Sequence, residues 1–421
     1  MKRHFWVLIH RYAGLFMALV LTIAGLTGSI LAFYHELGEW LNPPPANKVA
    51  ILSTPMLDPF VLRKRALLLE PHASINNVNL KQEPGEIYIP EFEAKIDPAT
   101  RQPYELQAIK LNPYTGEQIP VVLSASAENQ STGYWPLTRK NILPFIYALH
   151  YSLALGQTGS WLFGIAAVIW TADCFVGFYL TLPARKKNSL PTAALKAGQT
   201  GCNFRQRWSI AWKIKWPSSN FRLNFDLHRA GGLWTWLMLL IFAWSSVLLN
   251  LGEQVYIPVM KQFFELTLAK DYPIADLPQP HPDPRIDFKT AYRKAQGLMA
   301  EQSQQKGFMV MEERSISYVP AKGMYCYTVN TDYDIGSGGL SMLWLEGNGN
   351  EFSALYLPTG QKAGDTISNW LQCLHMARVG GLAYKIFLCL MGFVVAMLSV
   401  TGVYIWWKKR HALKLKLKMT A

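Results

Sequence analysis

The sequence predicts a membrane α-helical protein: a four-helix transmembrane bundle made by a two-fold internal repeat, with two α+β domains on one face. Three observations predict it. Four stretches are apolar enough, and long enough, to cross about 30 Å of hydrocarbon. Positive charge gathers beside the short connections rather than the long ones. The two halves of the chain present the same motifs in the same order.

The apolar stretches run about Leu15–Tyr34, Trp161–Leu182, Leu233–Leu251 and Ile386–Trp407. They divide the 421 residues into an amino-terminal segment with the first span (1–40), a first outer domain (41–140), a second span (141–183), a basic loop (184–227), a third span (228–253), a second outer domain (254–368), a fourth span (369–407) and a basic tail (408–421). Half of the residues are hydrophobic and 13% are aromatic, which excludes a disordered chain. The first stretch is too long for a signal-peptide core. The flank His35-Glu36-Leu37 also lacks a small-x-small cleavage site, so the stretch reads as a retained anchor.

Charge sets the orientation. Lys2, Arg3 and Arg11 precede the first span. The loop after the second span carries Arg185, Lys186, Lys187, Lys196, Arg205, Arg207, Lys213, Lys215, Arg222 and Arg229 against the single acid Asp226. The tail adds Lys408, Lys409, Arg410, Lys414, Lys416 and Lys418. Short basic connections stay cytoplasmic. Both termini are therefore expected in the cytoplasm of a bacterial inner membrane, with the long segments in the periplasm. The net charge of +13 answers to topology and to the lipid bilayer, not to nucleic acid, because the basic residues flank spans. The five cysteines show no CxxC, CxxCH or iron–sulfur spacing. Cys326 and Cys373 can form a disulfide in an oxidising compartment, or stay as two thiols.

The repeat is explicit. His10-Arg11-Tyr12-Ala13-Gly14-Leu15 opens the first half and His228-Arg229-Ala230-Gly231-Gly232-Leu233 the second. The first and third spans exit with Glu36 and Glu253. Each outer domain returns through a Leu-His pair, Leu149-His150 or Leu374-His375. In both halves Gly-x-Tyr follows that histidine at the same interval, at Gly177 and Gly402. This order predicts a parallel duplication about an axis along the membrane normal. In the outer domains, helices are expected near Asp58–Glu70 and Phe288–Glu301. Strands are expected near Glu86–Ile89, Arg314–Tyr318 and Tyr325–Val329, and turns at Asn112–Glu117 and Leu357–Gln361. Asn42–Pro45 and Pro278–Pro284 read as linkers. No nucleophile elbow, zincin motif or phosphate-binding glycine loop occurs.

Four of the nine histidines occupy matched positions, each read as opening a span helix. His10 and His228 lie at the cytoplasmic ends of the first and third spans, and His150 and His375 at the outer ends of the second and fourth. Two facing imidazoles at each depth are what two bis-histidine b-type haems require. Arg11 and Arg229 are placed to meet propionates at the inner site, and Arg378 at the outer. A plain interfacial anchor is the bland alternative. A bare metal ion is another, although zinc normally takes three or four ligands. His35 follows His10 by roughly 38 Å of ideal helix, near the opposite membrane face, and can serve the outer site. Gly252 at the matching place leaves it without a mate, which favours a substrate-facing or structural role. Asp173 lies within the second span, where acids are costly and mark function or a helix–helix hydrogen bond. Its counterpart is Leu398.

These stretches, with Trp170–Pro183, Asp226–Gly232 and Val400–Lys409, resemble the PepSY-associated transmembrane family, which includes iron-regulated inner-membrane proteins and ferric-siderophore reductases. The turn Pro113-Tyr114-Thr115-Gly116-Glu117 looks like the end of a PepSY domain. The resemblance implies a four-helix core, two PepSY-like periplasmic domains and, as in the reductase members, two haem b. The expected function is a dihaem reductase. It would take electrons from a quinol or cytoplasmic reductant and reduce a ferric siderophore or other ferric chelate for iron release. A PepSY-type protein that restrains an envelope peptidase, and a siderophore or iron permease, are the alternatives. The first predicts colourless protein; the second predicts broken or polar spans.

Overall fold

The computed structural model describes residues 3–42, 48–120, 134–184, 203–267, 276–336, 341–347 and 352–420. Residues 185–202 of the basic loop and most of the Asn42–Pro45 linker fall outside these residues. The chain forms two compact units. One takes Met1–Asn42, Tyr134–Phe263 and Leu374–Ala421, and the other Pro43–Gly133 and Phe264–Cys373.

The first unit is helical. Four of its helical stretches are long and apolar enough to cross a membrane: Arg3–Leu31, Gly156–Thr181, Trp236–Met260 and Gly381–Lys414. Helix α1 (Arg3–Leu31) stops at a turn over Ala32 and Phe33, and α2 (Tyr34–Leu41) restarts beyond it. Helix α4 (Ile142–Ser152) leads into α5 (Gly156–Thr181). The short α6 (Phe204–Ser209) carries a capping box between Asn203 and Gln206. The third span is interrupted. Helix α7 (Asn220–Trp234) ends at Thr235, α8 (Trp236–Leu251) follows, and a π turn over Gly252–Tyr256 leads into α9 (Ile257–Met260).

Small residues set the helix spacing. A Cβ on Gly25 would sit 2.5 Å from the Gly392 carbonyl oxygen of the fourth span, so the two backbones touch directly. One turn on, Ser29 Oγ donates to the Cys389 carbonyl at 2.8 Å. Close approach through small residues, helped by a hydroxyl, is how apolar helices associate where no hydrophobic force separates protein from lipid. Gly164 of α5 instead makes room for the Leu251 side chain of α8.

The sequence places His150 and His375 at the start of the spanning helices. They sit instead on the last turns of separate short helices. Leu153 and Ala154, both left-handed at φ 51° and 55°, break the chain between α4 and α5. Left-handed residues end a helix because they cannot continue its right-handed path. Ala377, Gly380 and Gly381, at φ 54°, 69° and 56°, do the same in the second half.

The second unit holds a five-stranded antiparallel sheet in the order β2-β4-β5-β6-β7. Helix α3 (Pro59–Leu69) is capped by Asp58, whose carboxylate accepts from Phe60 N at 2.9 Å. Helix α10 (Phe288–Lys306) is capped by Asp287 and ends at the left-handed Gly307. Strands β4 (Val310–Val319), β5 (Met324–Thr331), β6 (Ser341–Glu346) and β7 (Phe352–Tyr356) all come from the second segment. Alternation along β5 aims Tyr325, Tyr327 and Val329 at Ala291, Ala295 and Met299 of α10, while Met324 and Cys326 join Trp344 on the other face.

Two separate domains were expected here, and the segments join instead. Strand β2 (Asn77–Asn79) of the first segment pairs antiparallel with β4, Val78 opposite Ile316. The Asp58–Lys289 ion pair (2.6 Å) and the Arg63 guanidinium, 3.9 Å from the Phe288 ring centroid, add to this join. The first segment itself forms little sheet. It has β1 (Ala73–Ser74) paired with β3 (Glu93–Ala94), and single bridges such as Tyr88–Leu111 where the strand over Glu86–Ile89 was expected. Cys326 and Cys373 are buried and not disulfide-bonded. Cys373 Sγ instead donates to the Ile335 carbonyl.

Helix α11 (Ala363–His375) belongs to the second unit up to Cys373 and carries His375 on its last turn, and α12 (Gly381–Thr420) is the fourth span.

Candidate functional site

The four matched histidines form two pairs across the bundle. The ring centroids of His10 and His228 are 6.0 Å apart, and those of His150 and His375 are 6.2 Å apart. Each pair takes one ring from each half of the chain. The His150 ring is bonded to α1 at Ala24 and Thr27, toward the opposite end of that helix from His10. At about 1.5 Å per residue the two pairs are therefore separated by roughly 21–26 Å along α1.

On every ring the Nδ1 atom is engaged. His10 Nδ1 lies 2.9 Å from both Asp173 carboxylate oxygens. His228 Nδ1 lies 3.0 Å from the Leu398 carbonyl and 3.1 Å from Thr401 Oγ1. His150 Nδ1 lies 3.1 Å from the Ala24 carbonyl and 3.0 Å from Thr27 Oγ1. His375 Nδ1 lies 2.7 Å from Ser245 Oγ. Carboxylate and carbonyl oxygens only accept. The hydroxyls of Thr27, Ser245 and Thr401 already donate to the carbonyls of Ile23, Phe242 and Met397, so they too accept. His10, His150 and His228, each facing an oxygen that can only accept, thus carry a proton on Nδ1, and His375 takes the same tautomer where Ser245 keeps its bond to Phe242. The Nε2 lone pair is left to each, in the tautomer that ligates a metal while a protein oxygen holds the ring's other face.

The gap has the matching size. A metal ion about 2 Å from each nitrogen sets two opposed ring centroids roughly 6 Å apart. Among the described residues no group of three or more His, Cys, Asp or Glu side chains converges as a metal site, so a zinc-type cluster is not formed there. Glycines give the rings room. A Cβ on Gly177 would meet His10 Cε1 at 3.5 Å, one on Gly402 would meet His228 Cε1 at 3.2 Å, and one on Gly28 would meet His150 Cε1 at 3.0 Å.

A cavity of about 480 Å³ surrounds the His10/His228 pair, walled by Trp170, Phe178, Leu233, Trp236 and Leu239. Its volume falls within the range of small-molecule and cofactor sites. Arg3, Arg11, Arg229 and Lys409 line it as well. Arg3 is spent on the carbonyls of Leu180 and Leu182 at the end of α5. Arg229 donates through Nη2 to Asp226 (2.8 Å), a carboxylate that is fully buried and also takes Arg222 Nε at 2.8 Å. The Arg229 Nε is buried without a hydrogen-bond partner, a group of the kind that a bound acceptor satisfies.

His35 stands apart from the histidine pairs in exposure. His35 is carried onto α2 by the turn at Ala32 and Phe33. Its side chain is 83% exposed and lies 3.6 Å from Glu39 on the same helix. Arg378 lies in the turn between α11 and α12, three residues after His375. Sequence reasoning missed Thr27 and Ser245. The available signal was their equal offset, Thr27 standing as far after His10 as Ser245 stands after His228. It also missed Asp226 as a buried anchor, although its isolation among basic residues marked it.

A comparison with curated proteins gives no match. A family model for the PepSY-associated TM region matches residues 7–409, which takes in nearly all of the four spans and every residue of both histidine pairs. The chain is a membrane protein that belongs to the PepSY-associated transmembrane family.

Proposed function

We propose that the protein is an inner-membrane dihaem b-type reductase that carries electrons across the membrane to a ferric chelate, such as a ferric siderophore, for iron release. One observation carries the reading: two opposed imidazole pairs, at 6.0 and 6.2 Å, with all four Nδ1 atoms anchored on protein oxygens. A b-type haem supplies reversible one-electron chemistry. His10 and His228 would hold one, and His150 and His375 the other. Gly177, Gly402 and Gly28 leave the rings free to lie against the backbone, and Trp170, Phe178 and Trp236 give the cavity apolar walls. Arg11 and the unsatisfied Arg229 Nε would meet propionates at the first site. By the distribution of basic residues, that site lies toward the cytoplasm and the sheet unit lies in the periplasm. The donor would be a quinol or a cytoplasmic reductant. Reduction frees the metal because hard chelate oxygens hold Fe³⁺ more firmly than Fe²⁺. The matched motifs of the two halves support an origin by duplication.

A visible spectrum of the detergent-purified protein, oxidised and dithionite-reduced, with a pyridine haemochrome assay, tests this. Two low-spin haem b per chain are expected. Absence of haem in protein from haem-replete cells would overturn the reading.

A further inference from the structure

The two halves answer each other at every ring but one. Asp173 follows His150 at the same interval at which Leu398 follows His375. Both positions hold the Nδ1 of the His10/His228 pair. In the first half the acceptor is a side-chain carboxylate; in the second it is the Leu398 backbone carbonyl. The rings of His150 and His375 also rest on neutral oxygens. Of the four, only His10 is held by a formal negative charge.

We infer that Asp173 is a positioning residue that lowers the redox potential of the His10/His228 site, making it the low-potential entry point of the electron path. This rests on the dihaem reading above. A carboxylate on Nδ1 pulls the ring proton toward itself and leaves Nε2 a stronger donor. A stronger donor stabilises the oxidised, more positive metal over the reduced one. The side chain of Asp173 is only 9% exposed and His10 is the partner on which its carboxylate rests, so little water screens the effect. The other pair, roughly 21–26 Å away along α1, feels far less of it. Arg3, Arg11, Arg229 and Lys409 act in the opposite sense on the same cavity. Arg229 is countered by Asp226, and the carboxylate alone touches a ligand. The step concerned is one electron leaving the Asp173-braced site and arriving at the other, with no bond made or broken. The electrons come from the quinol or cytoplasmic reductant already named.

Redox potentiometry of the whole purified protein, followed optically at one pH, tests this. The wild type should show two components. In H375A, which keeps only the first site, the surviving component should be the lower one. Asp173→Asn should raise that component by about 59 mV, a tenfold change in the electron-sharing equilibrium of a one-electron couple, and leave the higher one in place. Asp173→Ser offers a neutral hydroxyl, as Thr27 and Ser245 do, and should shift it alike if the amide variant loads poorly. Asp173→Glu should stay near wild type. Unchanged components in D173N or D173S with full haem content, an equal shift in D173E, or movement of the higher component would overturn the inference while leaving the dihaem reading intact. A protein that holds no haem would overturn both.

Discussion

The helical unit and the sheet unit both bury polar side chains, and they finish the hydrogen-bond account differently. In the sheet unit, Glu313 accepts from the Tyr292 hydroxyl, the Tyr327 hydroxyl and Gln296 Nε2, so the cluster closes on itself. In the bundle each imidazole spends Nδ1 on a protein oxygen, shows no hydrogen bond at Nε2 among the described residues, and stands about 6 Å, centroid to centroid, from another imidazole. A closed cluster specifies a fold; a set of groups that each withhold one atom, aimed at a common space, specifies a guest. The difference separates structure from site without reference to residue type, since a carboxylate drawn from solvent occurs in both, Asp226 fully and Glu313 in part.

The largest effect that would break this contrast is the loss of a ring. His228→Ala removes one of two ligands from the first pair and should halve the haem content on the pyridine haemochrome assay. Full content in that variant would mean the withheld nitrogens hold nothing.

Glu313→Gln sharpens the other side. It leaves two phenols and an amide competing for one weaker acceptor and should cost about 1–3 kcal/mol of stability in the sheet unit. The haem spectrum should not change. The same carboxylate predicts a pH response. Burial raises its pKa, but the bonds from Tyr292, Tyr327 and Gln296 more than offset this and hold it below the usual range. A depressed folded-state pKa gives stability that is present above the unfolded value, about 4.3, and lost as pH falls through the folded one. Tyrosine fluorescence of the sheet unit should therefore report acid loosening below about pH 4, and E313Q should flatten it.

The smallest effect is expected at Ser245. Ser245→Ala removes the acceptor of His375 Nδ1 and should cost about 0.5–1.5 kcal/mol while leaving both haems bound. A complete loss of the second haem would show that the acceptor, and not the ring, organises that pair.

Much of the bundle was legible in the sequence because its signals are local or repeated. Apolar length gave four membrane-spanning candidates, and the matched intervals gave the partners within each pair. What escaped depends on backbone conformation or on distant pairing. Leu153 and Ala154 are ordinary side chains in a left-handed conformation, which composition does not announce, so α4 was read as part of the span. His35 followed from treating α1 as continuous past Phe33. The short strand β2 is stabilised by β4 from the other half of the chain, and so two outer domains were expected where one sheet forms. Asp173 was singled out for being an acid in a span; its contact with His10 is tertiary.

Each opposed pair draws one ring from residues 1–183 and the other from residues 220–409. This orders the protein's making. While the ribosome is still on the first half, neither gap has a second wall. The His10/His228 gap gains one when the third span inserts, but its Leu398 brace arrives only with the fourth. The His150/His375 gap waits for α11. A chain that ends before α11 therefore has one gap with a single wall and the other without its Leu398 brace, and both clasps are complete only once the last helix is in place.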